Sequence, residues 1–140
     1  MNTDSLGFLL ADVSRLLRRA IQQRMEGSEL TFPQARVMVS ISRKEGIRQV
    51  ELAELLELQP IALVHLLDQL AQRGLVERRP DPTDRRAHQL FLTAAAAPHL
   101  AAVKQIAATI QTDMLRGLSK QQSEQVLSNL RTVRDNLIAR

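Results

Sequence analysis

The chain has 140 residues, a formal net charge of +4 and no cysteine, which excludes disulfides, thiolate metal sites and thiol redox chemistry. No apolar run approaches the roughly 20 residues of a membrane span and no signal-peptide pattern opens the chain, so the expectation is a single soluble, cytoplasmic domain. Sixteen of the nineteen Lys and Arg residues are Arg, an excess that fits either phosphate and base-edge recognition or simple codon bias, so placement has to decide.

Leu6, Leu9, Leu10, Val13, Leu16, Leu17 and Ile21 recur at helical spacing and predict an amphipathic helix over residues 5–25, ended by Gly27. Thr31 and Gln34 have the spacing of a capping box, with Pro33 in the first turn, and open a second helix that runs to about residue 43. A short helix over 50–56 follows. Pro60 stands where a first helical residue belongs, and that helix reaches residue 73 with Gly74 as its stop. Residues 75–79 and 88–92 are strand candidates on either side of the turn-rich charged loop PDPTDRRA, and the pair reads as a hairpin. Thr93 is placed to cap a helix reaching about residue 116, which Pro98 should kink. Ser119 and Gln122 form a second capping box and open a last helix.

The fold class is therefore mainly α with a small β-hairpin wing. Two helices joined by a short turn and followed by a basic hairpin have the layout of a winged helix-turn-helix, whose second helix enters a major groove of double-stranded DNA. The expected organisation is one domain, 1–140, with a DNA-binding part over 31–92 and dimerisation helices over 5–25 and 94–140. One apolar stripe (Leu100, Val103, Ile106, Ile110, Met114) and another (Val126, Leu130, Val133, Leu137) leave the outer helices more apolar surface than the middle can cover. A homodimer is expected.

The run LAELLELQPIALVHLLDQLAQRGLVERRPDPTDRRAHQLFLT, residues 52–93, resembles the core of the MarR family of bacterial transcriptional regulators. The motifs that carry the resemblance are Asp68 and Leu70 with Gly74, Leu75, Val76 and Arg78 entering the wing, Asp84 and Arg86 at its tip, and Leu92 and Thr93 closing it. The stretch LVHLLDQL is similar to the SlyA-like branch. The resemblance implies a winged helix-turn-helix flanked by interlocking dimerisation helices, with wings reaching minor grooves. It also implies a repressor of a pseudo-palindromic operator, relieved by a small anionic or aromatic effector. A counter-silencer or architectural activator that reads DNA shape is the alternative.

Within that frame Arg86 matches the wing-tip Arg, and Asp84 is expected to orient its guanidinium by a charge-assisted hydrogen bond. Arg85 and Arg78 are the next DNA-contact candidates. On the reading helix Leu63, Leu66 or Leu67, and Leu70 form the expected buried face, which leaves Gln59, Pro60, Ala62, His65 and Gln69 on or near the outer one. Gln59, Pro60, Ile61, Ala62 and His65 are the DNA-contact candidates there. Relatives commonly place Ser or Thr near 59, 62 and 64 and Arg at 65, so this helix is poor in donors. Thymine-methyl contacts and Gln-adenine pairing remain open to it. His65 reads either as a weakened or pH-dependent contact or as a solvent-facing residue. For the effector, Arg15, Arg18 and Ala35 match positions near the pocket of relatives, and the two Arg fit a salt-bridge role equally well. His65, His88 and His99 lack the company of a metal site. There is no nucleophile–base arrangement and no Gly-rich phosphate loop, so neither a catalytic residue nor a cofactor is expected.

Overall fold

Ser5 opens the first helix of the computed structural model, which describes residues 5–140, by accepting the Phe8 N–H at 3.3 Å on its hydroxyl. That helix, α1 (Leu6–Arg24), buries no residue, and Leu6, Phe8, Leu9, Val13 and Leu16 stand exposed along it. The capping box at the next helix, α2 (Phe32–Arg43), is fully formed. The Thr31 hydroxyl accepts the Gln34 N–H at 3.3 Å, while Gln34 Oε1 accepts the Thr31 N–H at 3.0 Å.

Helix α3 (Gln49–Leu56) starts differently. Its N-cap is Arg48, whose guanidinium has no acceptor to offer the free N–H groups, so no side-chain cap forms. An ordinary Ser or Asp cap would contribute about 1 kcal/mol there. The helix ends at Glu57 in the left-handed region, φ 54°, and the Leu58 N–H closes the turn on Ala53 O at 2.9 Å. Helix α4 (Pro60–Gln72) follows with Pro at its first position. It stops at Gly74, whose φ of 72° suits glycine.

Strands β1 (Val76–Pro80) and β2 (His88–Leu92) pair antiparallel, Val76 opposite Leu92 and Pro80 opposite His88. A bridge from Arg48 to Gln89 covers the other side of β2. Pro80 therefore sits on an outer edge strand, where a missing N–H does least harm.

The next segment departs from expectation. Residues Ala94–Ala96 form a 3-10 turn, and α5 (Ala97–Met114) begins after it. Pro98 consequently lies in the first turn of α5, where its lack of an N–H breaks no helical bond, so it starts the helix and is not a kink within it. Thr93 does not cap with its side chain either; its hydroxyl donates to Gly74 O at 2.7 Å and ties the hairpin's exit to the end of α4. Helix α6 (Lys120–Ile138) has the predicted Ser119–Gln122 capping box.

The chain forms two compact units, one ending at Ala107 and one running from Ala108 to Arg140. In the first, α2 packs on α3, α4 and β2. Val37, Met38, Ile41, Leu52, Leu63, Leu67, Leu70 and Leu90 are all essentially inaccessible. Each such aliphatic side chain contributes roughly 1.5–3 kcal/mol, which sets α4 rigidly on α2 and turns its other face outward. In the second unit, α6 buries no residue and exposes Val126, Leu127, Leu130, Leu137 and Ile138. Among the described residues no helix is long and apolar enough to cross a membrane.

Candidate nucleic-acid interface and effector cleft

Leu63, Leu67 and Leu70 are drawn into the core, and that choice fixes which residues α4 presents. Gln59, Pro60, Ile61, Ala62 and His65 are all exposed, and Ile61 keeps 81% of its surface open at the first turn. The Gln59 side chain takes no part in capping α4, so its amide is available to a partner. An exposed branched aliphatic beside a free amide suits thymine-methyl contact next to adenine pairing.

The arginines around the hairpin separate by their partners. Arg73, at the end of α4, donates to Glu29 O at 2.7 Å and faces the Glu29 carboxylate at 3.6 Å. Arg78 donates to Asp68 Oδ1 at 2.7 Å and to Val64 O at 3.4 Å, tying β1 to the flank of α4. Arg79 pairs with Glu77 at 3.2 Å and lies 4.0 Å over the Phe91 ring. Arg85 and Arg86, exposed on the loop, have no ion pair or side-chain hydrogen bond among the described residues. Their full donor sets point to solvent. Arg78 is accordingly a structural tie first, in contrast to the sequence-based expectation of a contact.

Asp84 also works otherwise than expected. Its carboxylate accepts the Arg86 backbone N–H at 3.0 Å, and its carbonyl accepts the Ala87 N–H at 3.0 Å. It fixes the tip's backbone and leaves the Arg86 guanidinium unpaired. Such an Asx turn is the local chemistry that Asp performs well.

Beneath the tip lies a network the sequence did not announce. Arg48 Nε donates to Asp81 Oδ2 at 2.8 Å and its Nη2 donates to the Thr83 hydroxyl at 3.2 Å. The Thr83 hydroxyl and N–H both donate to Asp81 Oδ1, at 2.7 and 2.8 Å. The Asp81 side chain is only 1% exposed. The Thr83 hydroxyl, then its N–H, hold the Asp81 carboxyl below its ordinary value, with Arg48 assisting against the opposing effect of burial. The readable signal was Asp81 two residues before Thr83, an Asx-turn spacing. Its partner 33 positions earlier in the chain, Arg48, had no local mark.

A cleft of about 460 Å³ opens between α1, α2, α3 and the Val103–Ala107 stretch of α5. Leu17, Ile21, Phe32 and Val103 give it apolar walls, and Arg18, Arg36 and Arg43 line it as well. Those three guanidiniums have no salt-bridge partner among the described residues. Ala35 is on the wall. Ser14, Leu17, Arg18 and Ile21 form the i, i+3, i+4, i+7 stripe that faces the cleft. Arg15 falls off that stripe, 3.8 Å from Asp12, and lines with Arg18 and Arg19 a separate open depression of about 570 Å³ along α1. Arg36 and Arg43 were missed because nothing in the sequence sets them apart from other surface arginines. No group of His, Cys, Asp and Glu suited to a metal ion occurs among the described residues.

Residues 30–88 match the model of the MarR family. A mutant MarR from E. coli is 26% identical and superposes with a TM-score of 0.82, covering 95% of this chain and 98% of that one. A MarR-family transcriptional regulator from Rhodococcus sp. RHA1 is 25% identical, with a TM-score of 0.80 over 95% of this chain and 94% of its own. A mutant MarR from E. coli complexed with operator DNA is 27% identical, with a TM-score of 0.72 over 91% of this chain and 92% of its own. The outward-facing α4, the hairpin with its unpaired Arg tip and these matches lead to one conclusion: the chain has the fold of MarR-family winged-helix transcriptional regulators, with residues 30–88 matching the family's model.

Proposed function

We propose that this protein is a homodimeric, cytoplasmic repressor that binds a pseudo-palindromic operator and is released by a small anion with an apolar or aromatic body. The observation that carries the DNA-binding half is the pairing state of the hairpin arginines. Arg73, Arg78 and Arg79 are satisfied within the chain, whereas Arg85 and Arg86 hold their donors free at the tip. A guanidinium so presented suits the enhanced negative potential of a narrow minor groove. That a 27% identical E. coli relative is complexed with operator DNA supports DNA binding here.

The homodimer is supported by the uncovered apolar stripes on α1 and α6, more than a monomer ordinarily leaves in water. The effector is supported by the cleft, where apolar walls and three unpaired guanidiniums fit a carboxylate or similar anion. A binding role accounts for every such feature without a catalytic group.

Footprinting on duplexes enriched from random DNA tests this reading. The expected result is protection of two half-sites one helical turn apart, with affinity reduced tenfold or more in Arg86→Ala, about the scale of one base-edge interaction. Equal binding to scrambled DNA of the same A/T content counts against it.

One observation favours a second reading, a shape-reading counter-silencer. The outer face of α4 offers an exposed Ile61, Pro60 and Ala62 and few donors. That reading predicts a steep salt dependence and small penalties for base changes in the half-sites. Penalties of about 1–3 kcal/mol per base pair would exclude it.

A further inference from the structure

Arg48 is a poor choice for the start of a helix. Ser, Thr, Asp and Asn are preferred at that position because their oxygens accept the free N–H groups, and Arg has none. The structure shows what the side chain does in place of capping. It reaches across to the loop after β1, where Nε meets the buried Asp81 carboxylate at 2.8 Å and Nη2 meets the Thr83 hydroxyl at 3.2 Å. The backbone just before it is joined to the second strand as well. Gly46 N–H donates to Leu90 O at 2.9 Å, and Leu90 N–H donates to Ile47 O at 2.9 Å. At the far side of the loop, the Asp81 N–H donates to Ala87 O at 3.0 Å. Residues 81–87 therefore have a pinned base, and the pin is anchored in the helix-turn-helix.

We infer that Arg48, Asp81 and Thr83 are positioning residues for DNA binding, a clamp that fixes the direction of the wing tip relative to α3 and so determines what Arg85 and Arg86 can reach. This rests on the reading of the wing as a DNA contact. Asp81 is almost wholly buried and negatively charged, so it touches no phosphate; its effect on affinity is exerted through the arginines beyond it.

That gives the clamp a signature of sign. Removing a negative charge from a protein that binds a polyanion tightens binding if charge alone matters. Positioning predicts the reverse, that Asp81→Asn weakens it.

The experiment measures affinity and its salt dependence for the full chain on a 30-bp duplex, about three helical turns, carrying the sequence that the wild-type protein enriches from random DNA. Wild type, Asp81→Asn, Arg86→Ala and the double variant are compared. The expected results are an about tenfold loss for Asp81→Asn, a shallower salt slope, and a further loss under about threefold when Asp81→Asn is added to Arg86→Ala, because the group being positioned is gone. Should Asp81→Asn fold poorly, Thr83→Val keeps the loop's shape, removes the hydroxyl, and carries the same expectations in the same cycle. Binding by Asp81→Asn or Thr83→Val that equals or exceeds wild type overturns the inference, as do losses fully additive with Arg86→Ala. If the wild-type protein enriches and binds no duplex, the reading of the wing as a DNA contact fails first, and the inference with it.

Discussion

Gln34 Nε2 donates to Gln69 Oε1 at 2.9 Å, joining the first turn of α2 to the last turn of α4. Gln34 is nearly buried, and its amide oxygen is already engaged by the Thr31 N–H. Both ends of this amide are thus committed, one to starting α2 and one to fixing α4. Its neighbour Ala35 lies on the wall of the cleft, so the same turn of α2 meets both the proposed effector site and the proposed DNA-binding helix.

Replacing Gln34 by Leu removes one cap and leaves Gln69 without its donor. The expected cost is about 1–3 kcal/mol, read as a lowered urea midpoint with an unchanged slope. Gln69→Leu should cost a comparable amount, because it strands the buried Gln34 amide, and the double change should cost less than the sum. Additive costs would show that the two side chains do not interact in solution.

Arg85→Ala and Arg86→Ala should each weaken DNA binding while leaving the thermal unfolding midpoint unchanged, since neither side chain has a partner within the chain among the described residues. For every phosphate that is no longer neutralised, the slope of log affinity against log salt should become shallower by about 0.9. Arg78→Ala should behave in the opposite order, lowering stability first, because it removes the tie from β1 to Asp68 and Val64 O on α4. Titrations at several salt concentrations, paired with melts, separate the two classes.

His65 stands exposed on the outer face of α4, at a position where a longer cation could reach the groove. His65→Arg should tighten binding to the selected duplex by about tenfold or more, the worth of one good Arg contact. If affinity does not rise, position 65 points away from the DNA and the view of it as a weakened contact is wrong.

Arg18→Ala should reduce binding of an aromatic carboxylate to the cleft, whereas Arg15→Ala should not, since Arg15 lies off the stripe that faces it. Calorimetry with benzoate and naphthoate as probes makes the comparison directly. Equal losses for the two variants would place the anion on the open face of α1 instead.

What the sequence disclosed follows the range of the forces involved. Both capping boxes, the Pro60 start, the Gly74 stop and the hairpin were legible because each is settled within a few neighbouring residues. The buried face of α4 was legible because aliphatic spacing maps directly onto helix rotation. Pro98 was misread, since a 3-10 turn ahead of α5 shifts the helix start and turns an expected kink into an opening residue. The pairing of Arg78 with Asp68 and of Arg48 with Asp81 depends on the packed hairpin, which no local pattern encodes. Which arginines stay free is decided by which carboxylates come within reach of the others. Arg85 and Arg86 alike follow Asp84, yet that carboxylate is taken by a backbone N–H.

The clamp also predicts a pH dependence. The Asp81 carboxyl is held below its ordinary value of 3.8, first by the Thr83 hydroxyl. A carboxyl with a depressed folded-state pKa stabilises the fold at pH above its unfolded value, and that contribution disappears as pH falls through the folded pKa. Asp81→Asn mimics the protonated acid in shape, so wild type and variant should converge in acid. The difference between their melting temperatures should stay flat from pH 8 to about pH 5, then shrink steadily below about pH 4. Glu51, also held below its ordinary value through its hydrogen bond from Lys44, is present in both proteins and cancels in the difference. A difference that persists undiminished at pH 2 would mean that the loss in Asp81→Asn comes from packing around the side chain. The charge-assisted bonds to Arg48 and Thr83 would then contribute nothing to the hold on the wing.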